Sequence, residues 1–152
     1  MTSRLIDSGS SSNISDHRPY AERLASRNIF NRSDLIEAAI AVGLYSSSSM
    51  KGNVDTVSRL NDREVTMKGW VADPNGDASP LTVLVFAKGH MAARIQTRGE
   101  RSDVTRLHGL AFGAEKNVGF EVNFACPTGD NAVVVGLGQD KQYLYVPSPK
   151  CP

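Results

Sequence analysis

The last two-thirds of the chain alternates apolar and polar residues with a period of two, which is typical of β-strands with one buried face. The clearest run has an apolar side chain at every second position: Val118, Phe120, Val122 and Phe124. Similar runs, separated by turn residues, predict strands at residues 54–59, 64–73, 81–88, 91–97, 118–124, 132–137 and 142–146. The run at 81–88 is apolar on both faces, so we expect it at the centre of a sheet that is covered on both sides.

A helical period replaces this alternation nearer the N-terminus. Pro19, Tyr20 and Leu24 indicate a short first helix, and a second helix begins near Ser33, whose hydroxyl can cap its first turn. The second helix carries a broad apolar stripe: Leu35, Ile36, Ala39, Ile40 and Val42. This stripe must be buried, and the sequence leaves open whether the strands that follow or a partner chain cover it.

The changes of pattern divide the chain into three segments. Residues 1–18 are polar and rich in Ser, which predicts a flexible arm; residues 19–50 form a helical segment and residues 51–152 a β-sandwich domain. A chain of 152 residues with 40% hydrophobic content suits one core with an extension and is too short for two full domains. The predicted fold is therefore a mainly β, antiparallel two-sheet sandwich of about seven strands with an N-terminal helical extension.

Charge and hydropathy exclude some classes of partner. The 17 Lys and Arg residues nearly balance the 16 Asp and Glu residues, so the formal net charge is +1 and no chain-wide positive field favours nucleic acid. The longest apolar run contains Glu37 and falls short of the roughly 20 residues that a helix needs to cross a bilayer. We therefore expect neither a nucleic-acid partner nor a membrane-spanning segment.

The two cysteines bear on the compartment. Cys126 ends a predicted strand, and Cys151 lies in a Pro-rich tail with no core of its own. A bridge between them would pin the tail and stabilise the fold by about 3 kcal/mol; the alternative is two unrelated free thiols. Because disulfides persist in oxidising compartments, the bridge favours a periplasmic or extracellular protein whose leader or N-terminal anchor is not part of this sequence. The polar, Ser-rich N-terminus itself also fits a cytoplasmic protein.

Five short motifs follow one another in the sandwich segment: Gly52-Asn-Val-Asp55, Gly69-Trp-Val-Ala-Asp73, Leu81-Thr-Val-Leu-Val85, Arg101-Ser-Asp-Val104 and Val118-Gly-Phe-Glu-Val122. In this order they resemble the immunoglobulin-like modules of bacterial surface and envelope proteins. The resemblance implies an immunoglobulin-like sandwich that accompanies carbohydrate-active or envelope proteins and has no catalytic residues of its own. The expected function is a non-catalytic extracytoplasmic module that binds a protein or glycan at the cell envelope, and the alternative is a structural spacer without a ligand.

Aromatic side chains are candidates for both the core and a recognition surface. Trp70, Phe120 and Phe124 are expected to anchor the core between the sheets; for Trp70 the alternative is a platform on which a sugar ring stacks. Tyr143 and Tyr145 share one face of the last predicted strand. They form a candidate recognition surface if that face is exposed, and part of the core if it is not.

Basic side chains form the second candidate surface. Arg94 and Arg98 lie on one face of a predicted strand and could meet an anionic glycan or a lipid head group; the alternative is a solvated face with salt bridges. Arg101, beyond them, is expected to pair with a neighbouring carboxylate.

Catalysis and metal binding find little support in the sequence. No Gly-x-Ser-x-Gly elbow is present, and the three histidines have no ligand spacing. We therefore expect no enzyme, no metal site and no cofactor. A hydrolase would require His108, Asp103 and Glu115 to converge within the short reach of proton transfer.

Overall fold

The computed structural model describes residues 18–74, 80–99, 101 and 118–152. Two helices come first, α1 (Arg18–Ala25) and α2 (Arg32–Val42). The strands within the described residues are β1 (Tyr45–Ser46), β2 (Lys51–Arg59), β3 (Glu64–Ala72), β4 (Thr82–Ala87), β5 (His90–Gln96), β6 (Gly119–Ala125), β7 (Ala132–Leu137) and β8 (Gln142–Val146). The predicted flexible arm lies almost wholly outside the described residues.

The strands form two sheets, as predicted. One has the order β1-β8-β7-β4-β5 and the other the order β2-β3-β6, and all pairings are antiparallel except that of the two-residue β1 with β8. Counting from β2, the first, second and fifth strands share one sheet, and the third, sixth and seventh share the other. An immunoglobulin-like domain divides its strands in this way; here the fourth strand, β5, joins the sheet of β4.

Two hydrophobic layers explain why β4 and β7 are buried along their whole length. Alternate residues of these strands, such as Val83 and Val134, face the core between the two sheets. The intervening residues, such as Leu84 and Val135, pack with side chains of α1 and α2 in a second core on the outer side of the five-stranded sheet. The central position predicted for β4 is confirmed, and the helices are its second cover.

The apolar stripe of helix α2 packs on the five-stranded sheet. Leu35 and Ala39 belong to the core that the helices share with the sheet, so the sandwich covers the stripe. The buried face of α2 is narrower than the apolar stripe in the sequence, because Ile36 and Ile40 are 42% and 72% exposed. The helix begins earlier than Ser33 predicts, since the side chain of Asn31 accepts a hydrogen bond of 2.9 Å from the Asp34 amide and so caps the first turn.

The C-terminal tail is held to the sandwich by a disulfide between Cys126 and Cys151, whose Cα atoms are 6.3 Å apart. Both cysteines are buried in the core between the sheets. The amide of Cys151 donates to the carbonyl of Asp130 at 2.9 Å, and the guanidinium of Arg59 donates to main-chain oxygens of Cys126 and Pro152. The predicted bridge is confirmed, and it anchors the tail beside the end of β6.

None of the helices in the described part of the chain is long and apolar enough to cross a bilayer.

Candidate functional site: an arginine-lined groove

Strand β5 ends where the chain crosses from one sheet to the other. The Thr97 amide still donates to the Leu81 carbonyl, at 2.8 Å, beside β4. Two residues later, Gly99 has joined the other sheet, where its amide and carbonyl both pair with Gly119 at 2.8 Å. β5 and β6 approach each other closely at this end of the sandwich, and residues of both strands line a groove.

The groove has a volume of about 740 Å³ and is called the arginine groove below. Its lining residues come from β5, from the crossing segment and from the three-stranded sheet: Asp55, Thr56, Lys68, Gly69, Arg94, Ile95, Gln96, Arg98, Gly99, Arg101, Gly119, Phe120 and Glu121. The volume lies within the range of roughly 300 to 1,000 Å³ that ligand sites occupy. The lining contains four basic and two acidic side chains.

The two acidic side chains already have basic partners. Arg101 donates to the carboxylate of Asp55 at 2.7 Å, and both side chains are about one-third exposed or less. Lys68 lies 3.9 Å from Glu121, with both side chains more than half exposed, so this pair contributes little to stability. The carboxylates of the groove are thus directed at Arg101 and Lys68, as predicted for Arg101.

A local irregularity of β2 positions the Asp55 carboxylate. The pairing of β2 with β3 shifts register between Val54 and Thr56, so Asp55 is the extra residue of a β-bulge. A bulge re-aims the side chain of the extra residue, and here the carboxylate also accepts a hydrogen bond of 2.8 Å from the side-chain Nδ2 of Asn53. Asp55 is therefore fixed against Arg101.

Arg94 and Arg98 remain without a carboxylate. Both are exposed, and within the described residues neither forms an ion pair. Arg98 donates a hydrogen bond of 2.6 Å to the side-chain oxygen of Gln96, which orients the guanidinium without neutralising it. Two positive charges on the rim of the groove are thus free to meet an anion.

Two of the glycines that line the groove lie where neighbouring groups approach closely. A Cβ on Gly69 would lie 2.4 Å from the carbonyl oxygen of Asn53 and about 3 Å from the ring of Phe120. A Cβ on Gly119 would meet the side chain of Arg101 at 3.1 Å. Larger residues at either position would displace the groups that shape the site.

The tyrosine pair does not form an exposed surface. Tyr143 and Tyr145 share a face of β8, but that face is turned toward the helices. Tyr143 is 5% exposed, and the half-buried ring of Tyr145 lies under the guanidinium of Arg32, 5.1 Å from its centroid. A recognition surface built on both rings is therefore excluded by the helical layer.

The three core candidates lie in different places. Phe120 and Phe124 are buried between the sheets. Trp70 is also buried, at 8% exposure, but it is not among the described members of either hydrophobic core. It pairs with Asn53 and Gly119 across the sheet, and its low exposure leaves little ring surface for a stacked sugar.

The residues proposed for a hydrolase, His108, Asp103 and Glu115, lie outside the described residues. Within the described part of the chain, no three His, Cys, Asp or Glu residues are grouped so that they could hold a metal ion.

The sequence suggested Arg94 and Arg98 as candidate binding residues but did not predict the groove that they line. Lys68 and Glu121 are neighbours only because β3 pairs with β6 in one particular register, and the bulge at Asp55 cannot be recognised from the alternation of apolar and polar residues.

No protein-family model, curated protein or solved structure significantly matches the chain.

Proposed function

We propose that the domain is a non-catalytic extracytoplasmic interaction module that binds an acidic protein or glycan of the cell envelope in the arginine groove. The observation that carries this proposal is the pair Arg94 and Arg98, whose charges lack carboxylate partners among the described residues while the neighbouring carboxylates are engaged. An exposed guanidinium presents a planar set of donors that fits a carboxylate or a sulfate through two parallel hydrogen bonds.

The spacing of the two arginines sets the size of the partner. Residues four apart along an extended chain are separated by roughly 13 Å, so Arg94 and Arg98 can each engage a separate negative charge. An extended acidic polymer can contact both. The proposal therefore specifies a chain with repeated negative charges.

The disulfide supports the extracytoplasmic part of the proposal. Cys126 and Cys151 are bridged and both are buried, and bridges of this kind persist in oxidising compartments. The resemblance to immunoglobulin-like envelope modules points to the same location. A thiol count on unfolded protein from its native source should find no free thiols; two free thiols would contradict a periplasmic or extracellular location.

The binding test compares the domain with two variants against a set of polymers: a sulfated glycan, a carboxylated glycan, polyglutamate and neutral dextran. We expect the unmodified domain to bind at least one acidic polymer, more weakly as salt is added, and to ignore dextran. The double substitution Arg94→Ala/Arg98→Ala should weaken binding at least tenfold. The control Arg27→Ala removes one guanidinium from an exposed position outside the groove and should leave binding unchanged.

A structural spacer predicts a different result. If the domain is only a spacer, no acidic polymer should bind, or Arg94→Ala/Arg98→Ala and Arg27→Ala should weaken polymer binding by the same factor. Either result would overturn the proposed function.

A further inference from the structure

Among the described residues, one edge of the β5 main chain has no neighbouring strand paired to it, and this edge lies beside the arginine groove. β5 is the last strand of its sheet and, within the described residues, pairs only with β4. Because the Thr97 amide bonds to the Leu81 carbonyl, the alternation of an antiparallel ladder turns the main-chain groups of Ile95 and Ala93 toward β4. The amides and carbonyls of Arg94 and Gln96 then point away from the sheet, toward the open edge.

The charge at this edge argues against a second copy of the chain as its occupant. Two β5 strands pairing with each other would bring Arg94 of each copy into the same short ladder, and facing like charges destabilise such pairs. Charged residues on edge strands commonly prevent this self-association. An acidic strand experiences the opposite force, because Arg94 and Arg98 attract its carboxylates.

From this combination we infer that β5 accepts an extended acidic segment of a partner protein as an additional strand. This inference rests on the proposed function and names its partner class as polypeptide. The main chain of the segment bonds to Arg94 and Gln96, and its carboxylates face Arg94 and Arg98. A glycan can satisfy the arginines, but it lacks the regularly spaced amides and carbonyls that fill a strand edge.

The geometry of strand addition fixes the pattern of the bound segment. In an antiparallel pair, a residue that exchanges both hydrogen bonds with Arg94 has its side chain on the same face as the Arg94 side chain. Cβ atoms of such facing residues are about 5 Å apart, close enough for a carboxylate to reach the guanidinium. The segment should therefore carry Asp or Glu at every second position, with the acidic residues' own amides directed at β5.

The test uses an eight-residue peptide in which Glu and Val alternate, capped at both ends and labelled for fluorescence anisotropy. Two derivatives carry N-methyl groups, one on the Glu amides and one on the Val amides, with charge and side chains unchanged. We expect methylation of the Glu amides to weaken binding at least tenfold and methylation of the Val amides to change it less than twofold. The reverse asymmetry would indicate parallel addition and support the inference; equal effects of the two methylations would overturn it.

A matched pair of variants tests the same edge from the protein side. Gln96→Pro removes an amide that points away from β4, so the β4 ladder keeps its hydrogen bonds, whereas Gln96→Ala keeps the amide and removes only the side chain. We expect Gln96→Pro to bind the peptide at least fivefold more weakly than Gln96→Ala, because both variants lose the side-chain oxygen that orients Arg98 and only Gln96→Pro also loses the main-chain amide. Thermal unfolding of both variants verifies that they are folded, and the methylated peptides test the unaltered protein.

The outcomes separate this inference from the proposed function. If neither the methyl groups nor Gln96→Pro matters but Arg94→Ala/Arg98→Ala abolishes binding, the groove binds acidic polymers without strand addition and only the inference fails. If peptide and acidic glycans bind equally to the unmodified domain and to the double arginine variant, both fail.

Discussion

Gly69 lines the arginine groove beside the ring of Phe120, at a point where β2 and β3 approach closely. A methyl group there would meet the Asn53 carbonyl at 2.4 Å, and that oxygen cannot move without disturbing the sheet. Gly69→Ala should lower the free energy of unfolding by about 1 to 3 kcal/mol, the usual cost of overpacking. Urea unfolding measures this change.

The control for Gly69→Ala is the adjacent substitution Lys68→Ala. The Lys68 side chain is 58% exposed in a weak pair with Glu121, so its removal should change the free energy of unfolding by less than about 0.5 kcal/mol. An equal effect of the two substitutions would show that the close approach at Gly69 has no energetic consequence.

At the residue scale, the sequence predicted which side chains share a face but not what lies opposite them. Alternation places Tyr143 beside Tyr145 and Arg94 near Arg98. The helices cover the tyrosines, and the carboxylates near the arginines are engaged by Arg101 and Lys68. Both outcomes depend on contacts between residues far apart in the chain, so local spacing cannot distinguish a covered face from an open one.

At the scale of elements, α2 illustrates how hydrophobicity alone overstates a buried face. Leu35 is fully buried against the sheet, whereas Ile40, which belongs to the same apolar stripe, is 72% exposed. Leu35→Ala should therefore lower the free energy of unfolding by about 2 to 5 kcal/mol, while Ile40→Ala should change it by less than about 0.5 kcal/mol. Denaturant unfolding followed by circular dichroism distinguishes these values.

Comparable losses for Leu35→Ala and Ile40→Ala would mean that α2 does not pack on the sheet through the face described above. The sequence predicted the helix and its apolar character because helical periodicity is local. It misplaced the cap, since Ser33 and Asn31 are both good capping residues and the hydrogen bond from the Asp34 amide decides between them.

At the scale of the whole molecule, the disulfide joins the C-terminal tail to the sandwich across a separation of 25 residues. Closing a loop of this length should contribute about 3.5 kcal/mol by restricting the unfolded chain. The variant Cys126→Ala/Cys151→Ala should unfold at a lower urea concentration than the oxidised protein. Reductant should lower the stability of the unmodified protein only; identical unfolding of oxidised protein and double variant would contradict this account.

The seven longer strands and their order along the chain were predictable, because alternation and turn residues are local signals. Which strands share a sheet was not predicted, because strand pairing joins residues far apart in the chain. The crossing of residues 97–99 from β4 to β6, which opens the arginine groove, was not predictable, because it depends on hydrogen bonds between Gly99 and Gly119. The functional hypothesis therefore depends on a feature of the tertiary fold.

The most direct test of the arginine groove is an NMR titration of ¹⁵N-labelled protein with the unlabelled alternating Glu and Val peptide. The largest amide shifts should lie in β5 (His90–Gln96), the crossing residues 97–99 and the first residues of β6 (Gly119–Ala125), and they should disappear in Arg94→Ala/Arg98→Ala. Shifts concentrated on α2, β2 or β8, with β5 unmoved, would contradict peptide binding in the groove, as would no shifts at millimolar peptide.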